Sequence, residues 1–247
     1  MRVNEYLVFD IETAGQELDN FDESQQEYLL RNCADDEERA KKIGEFALSP
    51  FTSNIVCIGL ALVLRSGDEW KFEKIGALAN DPSLGDDETV DSELSEGGKM
   101  IRCNEKELLI NFWKMLERYN KARLISFNGR GFDAPFLMLR SAVCGVRPCR
   151  NLMDGTKFRY YNHTDLADEL SFYSFGSSGP QRRFNFDFYA RAFGITSPKA
   201  AGVDGSMVTD LYRAGRLDEI CEYCLRDVRA TWELFLAWEK FLDFGGR

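Results

Sequence analysis

The sequence predicts an α/β protein in which a mixed β-sheet is covered by helices, and three patterns carry that expectation. Two early runs, residues 6–9 with Ile11 and residues 55–64, are apolar and rich in β-branched or aromatic side chains, as buried strands are. The amphipathic run LLINFWKMLERY leads into a further short apolar segment, ARLISF. A long helical pattern over 217–241 closes the chain. With 247 residues the chain can bury a full core in one large α/β domain, so residues 1–247 are read as a single domain with insertions at about 14–54 and 79–98.

The elements follow in order. The first strand ends at the breaker Gly15, after which residues 14–54 turn polar, with helical patches at 24–32 and 35–46. The long run at 55–64 is a buried strand, and 70–75 is its hairpin partner across the turn Ser66-Gly67-Asp68. Residues 79–98, NDPSLGDDETVDSELSEGGK, are acidic, rich in Gly and Ser and without periodicity, which predicts a mobile loop. Asn104-x-x-Glu107 is a capping box before the amphipathic helix. NGRGFDAPFLMLRSAV reads as a loop entering a helix, and its G-x-G lacks the third glycine of a dinucleotide site. Residues 158–189 are rich in Phe and Tyr and are broken by the flexible stretch SFGSSGPQRR.

Bulk properties exclude several classes. No stretch approaches the roughly 18 apolar residues of a membrane span, and MRVNEYLVFDIETAG lacks the parts of a signal peptide, which predicts a cytoplasmic protein. Seven cysteines scattered through apolar segments fit reduced thiols better than a disulfide framework. Cys221-x-x-Cys224 has no second Cys/His pair at zinc spacing and lies in a helical pattern, so it reads as core. The net charge of −10 argues against a long duplex-gripping groove. It is unevenly spread, however: residues 121–160 carry eight basic side chains against Asp133 and Asp154. That segment could form a phosphate-tracking face or a solvated basic surface.

The candidate chemistry starts at the first strand. Side chains alternate along a strand, so Asp10 and Glu12 share one face while Phe9 and Ile11 fill the other. Two carboxylates held together repel, and a hard cation such as Mg²⁺ or Mn²⁺ between them relieves the repulsion. Taken alone, D-x-E also describes a strand ending in solvent. Asp133 stands at a loop-to-helix junction, where a helix N-cap is the simplest role. Tyr223 and Asp227, four apart, share a face of the last helix. The joint order is the informative part: D-x-E on an early strand, F-D-x-P after a middle strand, Y-x-x-x-D on a late helix.

In that order and spacing the sequence resembles the DEDD superfamily of 3′-5′ exonucleases, in the Tyr-bearing branch that includes DNA polymerase proofreading domains. Residues 187–238 further resemble stand-alone bacterial exonucleases related to the family B polymerase proofreading domain, through KAAGVDGSMVTDLYRAGRLDEICEYCLRDVRATWEL. The resemblance implies a ribonuclease H-like mixed sheet flanked by helices. It also implies that Asp10, Glu12, Asp133 and Asp227 bind metal and that Tyr223 is a fifth catalytic side chain. The sister branch carries His where this chain has Glu222, and the only histidine, His163, lies far from that motif.

The residue types suit the chemistry, since two divalent ions roughly 4 Å apart can activate water and neutralise a leaving oxygen, and carboxylates can hold them. By resemblance, Asp10, Glu12 and Asp227 hold one Mg²⁺ or Mn²⁺ and Asp10 a second, with Asp133 more peripheral. Tyr223, with an ordinary pKa near ~10, is a poor base at neutral pH and is assigned to orienting the attacking water. Thr13 and Asn128 are candidates for the terminal nucleotide or for local turn hydrogen bonds. Phe132 is a stacking side chain or a core aromatic, and Asp165 in HTDLAD an N-cap. Arg130, Lys157 and Lys199 are candidate phosphate contacts. The expected substrate is a single-stranded nucleic-acid 3′ end, DNA ahead of RNA, released as nucleoside 5′-monophosphates. A proofreading role would need a separate polymerase or repair partner. The rival readings are an exoribonuclease and a noncatalytic nucleic-acid or protein-interaction module on the same fold, the latter expected to lack one of the acids.

Overall fold

Seven strands form a mixed sheet in a computed structural model that describes residues 5–67, 69–174, 176 and 178–244, with 200 and 201 described by backbone alone. The strands are β1 (Glu5–Gly15), β2 (Ser53–Ser66), β3 (Glu69–Asn80), β4 (Val90–Glu93), β5 (Lys99–Cys103), β6 (Arg123–Ser126) and β7 (His163–Asp165). Their order is β4-β5-β3-β2-β1-β6-β7. β1, β2 and β3 run antiparallel as a meander, whereas β1-β6, β6-β7 and β3-β5 are parallel pairs. The helices are α1 (Glu23–Leu30), α2 (Asp36–Gly44), α3 (Glu105–Arg118), α4 (Asp133–Val143), α5 (Leu166–Leu170), α6 (Phe186–Ala192), α7 (Val208–Arg213) and α8 (Leu217–Leu242). The α/β class expected from the sequence is the one observed. Among the described residues no helix is long and apolar enough to cross a membrane.

Period-two alternation along β1 divides the core. Leu7, Phe9 and Ile11 pack with Leu108, Phe112 and Leu116 of α3 and Leu137 of α4. Tyr6 and Val8 turn to the opposite face, under Val228, Trp232 and Phe235 of α8. Each fully buried side chain of this size contributes about 1.5–3 kcal/mol, so both faces hold the sheet firmly.

Two expectations are corrected. The acidic stretch 79–98 is not simply a loop: β4 lies within it and pairs antiparallel with β5, Asp91 reaching Lys99 at 2.5 Å. Charged side chains suit this solvent-facing edge strand, which explains why no apolar alternation marks it. The hairpin partner of β2 also runs further than 70–75, because β5 supplies a second ladder for Gly76 to Asn80. Asp68 of the expected turn, and Phe175 and Ser177 of the stretch expected to be flexible, lie outside the described residues.

Candidate active site

The site forms where the parallel strands stop at different lengths. β6 pairs with β1 only from Tyr6 to Val8, so β1 outruns its neighbour and a crevice opens at the carboxyl ends, the usual place for ligands in such sheets. Beyond Val8 the Ile11 amide has no β6 partner, and it donates to Asp133 Oδ1 at 3.0 Å. Asp133 is thus turned across the crevice. It is the first residue of α4, with Phe132 in the cap position, so the alternative role of N-cap, open when Asp133 is read alone, is not the one it takes.

The loop that delivers Asp133 is itself anchored. Asp165 caps α5 by accepting from the Ala167 amide at 3.0 Å, and it also accepts from the amides of Asn128 and Arg130, each at 2.8 Å. Asn128 takes a left-handed φ of 60°, a conformation that Asn tolerates better than most residues.

On the opposite side α8 settles close to the sheet. Gly59 of β2 stands opposite Asp10 in the register, and a Cβ there would meet Cys224 Sγ at 2.8 Å and Val228 Cγ2 at 3.0 Å. This approach sets Tyr223 and Asp227, one helical turn apart, over Asp10 and Glu12. Tyr223 and Asp227 both line the cleft on this side.

Four acids therefore share one cleft of about 470 Å³. Glu12 is 9% exposed and Asp133 4%, while Asp10 and Asp227 are half-buried at its floor. Burial, then the charges of Asp133, Asp227 and Glu12, push the Asp10 carboxyl well above the usual range. Burial followed by Asp227 and Asp133 does the same to Glu12. Asp133 rises to about 7, burial outweighing the backbone amides that bond it. Asp227 also rises to about 7 by burial, against the opposing pull of the Tyr223 hydroxyl, Arg226 and Lys199. Burial and the neighbouring acids raise Tyr223, keeping its hydroxyl protonated. Such a set lacks positive charge at its centre. All-oxygen donors of this kind fit hard divalent ions, whose charge would offset the repulsion.

The structure separates the other sequence candidates. Asn128 and Phe132 line the cleft; the Phe132 ring also packs on Phe136 at 5.2 Å, joining core and site. Thr13 does not line it, because alternation sends its hydroxyl away from Glu12, to the Ala47 carbonyl at 2.7 Å. Arg130 is corrected as well. Its guanidinium donates to the carbonyls of Leu152, Met153 and Asp154 and lies 3.9 Å from the centre of the Tyr160 ring, in a neighbouring cleft. Lys157 is exposed beside the Phe158 ring and likewise lies outside the cleft lining. Lys199 is exposed and close enough for its charge to lower Asp227.

Sequence reasoning missed Arg183, Phe184, Asn185 and Phe186, which line the cleft opposite the acids. Arg183 pairs with Asp168 and donates to Asn128 Oδ1 at 3.4 Å. The signal was available as the string RFNF, alternating polar and aromatic residues inside the Phe/Tyr-rich segment. Its Gly/Ser-rich neighbours obscured it.

Comparisons with known proteins fit this geometry. A family model described as "predicted 3′-5′ exonuclease related to the exonuclease domain of PolB" matches residues 72–243, a span that contains Asp133, Tyr223 and Asp227 and leaves Asp10 and Glu12 outside. DNA polymerase 1 of Aeropyrum pernix is 31% identical over 160 residues, covering 60% of this chain and 15% of the polymerase. An uncharacterized protein of Methanocaldococcus jannaschii is 31% identical over 147 residues, covering 55% of this chain and 76% of that protein. The family B DNA polymerase of Pyrobaculum calidifontis superposes with a TM-score of 0.57 at 15% identity, over 97% of this chain and 25% of the polymerase. That likeness bears on fold, which is ribonuclease H-like as expected.

Proposed function

The chain belongs to the family of predicted 3′-5′ exonucleases related to the exonuclease domain of PolB, and from that premise we propose that it removes nucleotides from single-stranded 3′ ends, DNA ahead of RNA, as a Tyr-bearing DEDD enzyme. The observation that carries the reading is the convergence of Asp10, Glu12, Asp133 and Asp227, from three separate segments, in one cleft beside Tyr223. Asp10, Glu12 and Asp227 would hold one divalent ion and Asp10 with Asp133 a second, and ions bound there supply activation of water and charge stabilisation at the leaving oxygen. Hydrolysis adds the hydroxyl of water to phosphorus and delivers a proton to the departing 3′ oxygen, freeing a nucleoside 5′-monophosphate.

The remaining work falls to the chain's own groups. Tyr223 stays protonated, so it orients the attacking water by hydrogen bonding and does not serve as the base. Phe132, Phe184 and Phe186 offer ring faces on which unpaired terminal bases can stack, a preference for single strands that does not depend on base identity. Arg183, which lines the cleft, and Lys199, whose charge acts on Asp227 after that of Arg226, are the cations offered to entering phosphates. The two polymerases that resemble this chain favour DNA as the substrate.

The test is product analysis on DNA and RNA oligonucleotides in Mg²⁺, Mn²⁺ or EDTA, with Asp10→Ala alongside. Mononucleotides formed only with a divalent ion, and not by the variant, are expected. Equal products in EDTA would contradict the reading, and faster turnover of RNA would make the chain an exoribonuclease.

A further inference from the structure

Beside the loop that delivers Asp133 lies a second cleft, of about 180 Å³, which among the described residues shares no lining residue with the acid cleft. Arg130, Arg150, Asn151, Asp154, Tyr160 and His163 line it. Two cations thus meet one acid, and that acid is exposed, accepts from the Gly155 amide at 2.9 Å and pairs with neither guanidinium. Arg130 is occupied by backbone carbonyls and the Tyr160 ring. Arg150 has no such use. It is half-buried, makes no hydrogen bond or ion pair among the described residues, and its Nη2 is buried without a partner. Burial lowers its pKa, as expected of a guanidinium taken from water with no anion beside it. His163 is orphaned in the same way, 3% exposed with its Nδ1 unpartnered. Burial, then the charges of Arg130 and Arg150, push it down to about 3, so the ring is neutral and no nearby acid offsets the two cations.

We propose that this cleft binds a small phosphate-type oxyanion, inorganic phosphate or the phosphate head of a nucleotide, with Arg150 as its principal contact. A charge buried without a partner is costly, and an anion beside Arg150 removes that cost. The guanidinium fork matches the oxygens of phosphate in a bidentate pair. Donors here come from three segments, at Arg130, at Arg150 with Asn151, and at His163, so a tetrahedral anion with several acceptor oxygens satisfies more of them than a planar carboxylate does. When the Ser126 hydroxyl donates to His163 Nε2, 2.7 Å away, the neutral ring carries its proton on Nδ1 and becomes a further donor. The cleft is smaller than the roughly 300–1,000 Å³ typical of drug-sized ligands, which suits a small anion. None of the four acids lines it, so the inference stands apart from the nuclease reading. The two sites are nonetheless linked: the amides of Arg130 and Asn128 both donate to Asp165, each at 2.8 Å, and Asn128 lines the acid cleft.

The experiment titrates the full chain with inorganic phosphate, and separately with deoxyadenosine monophosphate, by isothermal calorimetry in EDTA, where the metal-free acid cleft repels anions. The expected result is one saturable phosphate site per chain, weakened about tenfold or more in Arg150→Met, as loss of a charge-assisted hydrogen bond implies. It should be kept in Arg147→Met, which removes an exposed cation outside the cleft. Thermal unfolding supplies a second readout. In chloride Arg150→Met should melt at or above the wild type, because it deletes a charge that has no partner, whereas phosphate at matched ionic strength should raise Tm in the wild type and leave the variant unmoved. A merely structural arginine would instead lower Tm in both salts and leave the response to phosphate intact, which overturns the inference. So does absence of binding in the wild type, or equal loss in Arg147→Met. Binding of both probes assigns the site to any phosphate head, and binding of inorganic phosphate alone confines it to the free ion. Binding of the nucleotide alone places recognition on the base and contradicts the proposal.

Discussion

Asp10 and Tyr223 differ in what their loss should do, although they lie in one cleft. Removing Asp10 or Asp227 takes away a charge that would hold an ion, so Asp10→Ala and Asp227→Ala should abolish turnover and divalent-ion binding. Tyr223→Phe deletes one hydroxyl that would orient water and should cost about one to three orders of magnitude in kcat with ion binding intact. Ion titration and steady-state cleavage of the three variants check this, and equal, complete losses would give Tyr223 a larger role. A second residue-scale prediction concerns His163, whose Nε2 is 2.7 Å from Ser126 Oγ. Burial, then the charges of Arg130, Arg150 and Arg123, lower its pKa to about 3. Between that value and the ordinary value near ~6.5, the unfolded chain binds a proton that the native state refuses. Stability is therefore lost as pH falls through this window, by up to about 1.4 kcal/mol per pH unit. The buried acids shift the opposite way, but they are common to wild type and His163→Gln. Urea unfolding of the two proteins at about pH 7 and about pH 5 should show their difference changing with pH; a constant difference contradicts the assignment. At this scale the meeting of the four acids and Tyr223 in one cleft was readable because their order and spacing are distinctive; their roles belong to the proposal. For Thr13 the sequence left nucleotide contact and hydrogen bonding to the chain both open, and the same alternation that joined Asp10 to Glu12 carries position 13 to the other face, where it bonds the Ala47 carbonyl.

At the scale of elements, the approach of α8 to β2 decides whether the two halves of the acid cluster meet. Gly59→Ala places a Cβ 2.8 Å from Cys224 Sγ and 3.3 Å from its carbonyl oxygen, and a helix backbone cannot swing aside as a side-chain tip can. The helix must move away from β1, carrying Asp227 and Tyr223 with it. The expected cost is about 1–3 kcal/mol in urea unfolding, with a fall in kcat that remains at denaturant-free, fully folded conditions. Unchanged turnover in a folded variant would mean that the cleft tolerates a helix shift. The long helices were legible from periodicity, α8 observed at Leu217–Leu242 against an expected 217–241. β4 was not, because an edge strand held by one neighbour and an ion pair needs no apolar face. The cleft-lining residues from Arg183 to Phe186 were obscured for a related reason. They reach the site through tertiary packing across the sheet's end, which no local period encodes.

Over the whole molecule, charge is the property that the sequence represented least faithfully. Two cations of the basic segment 121–160 are held away from the acid cleft, while Lys121, Arg147, Lys157 and Arg159 are exposed. Arg140 is buried in an ion pair with Glu105 at 2.7 Å and reaches the Pro50 carbonyl, and Arg130 holds backbone carbonyls. A chain with net charge −10 and few cations at its cleft should grip only a short length of strand. At a log-log salt slope of about −0.7 per phosphate contact, roughly two to four contacts give a shallow dependence and low processivity. Lys199→Ala should raise KM and flatten that slope, whereas Arg130→Ala should lower stability with little change in slope. Steady-state cleavage across a salt series and urea unfolding of both variants distinguish the two outcomes; the reverse pattern would return the substrate track to the basic segment.

The central claim, a metal-dependent enzyme that works inward from the 3′ end, is tested most directly by following the length of a 5′-labelled single-stranded DNA oligonucleotide over time with Mn²⁺ or EDTA. The expected result is a ladder descending one nucleotide at a time with Mn²⁺ and intact strand in EDTA. Immediate release of a labelled 5′ mononucleotide, internal cuts without a ladder, or undiminished degradation in EDTA would contradict it.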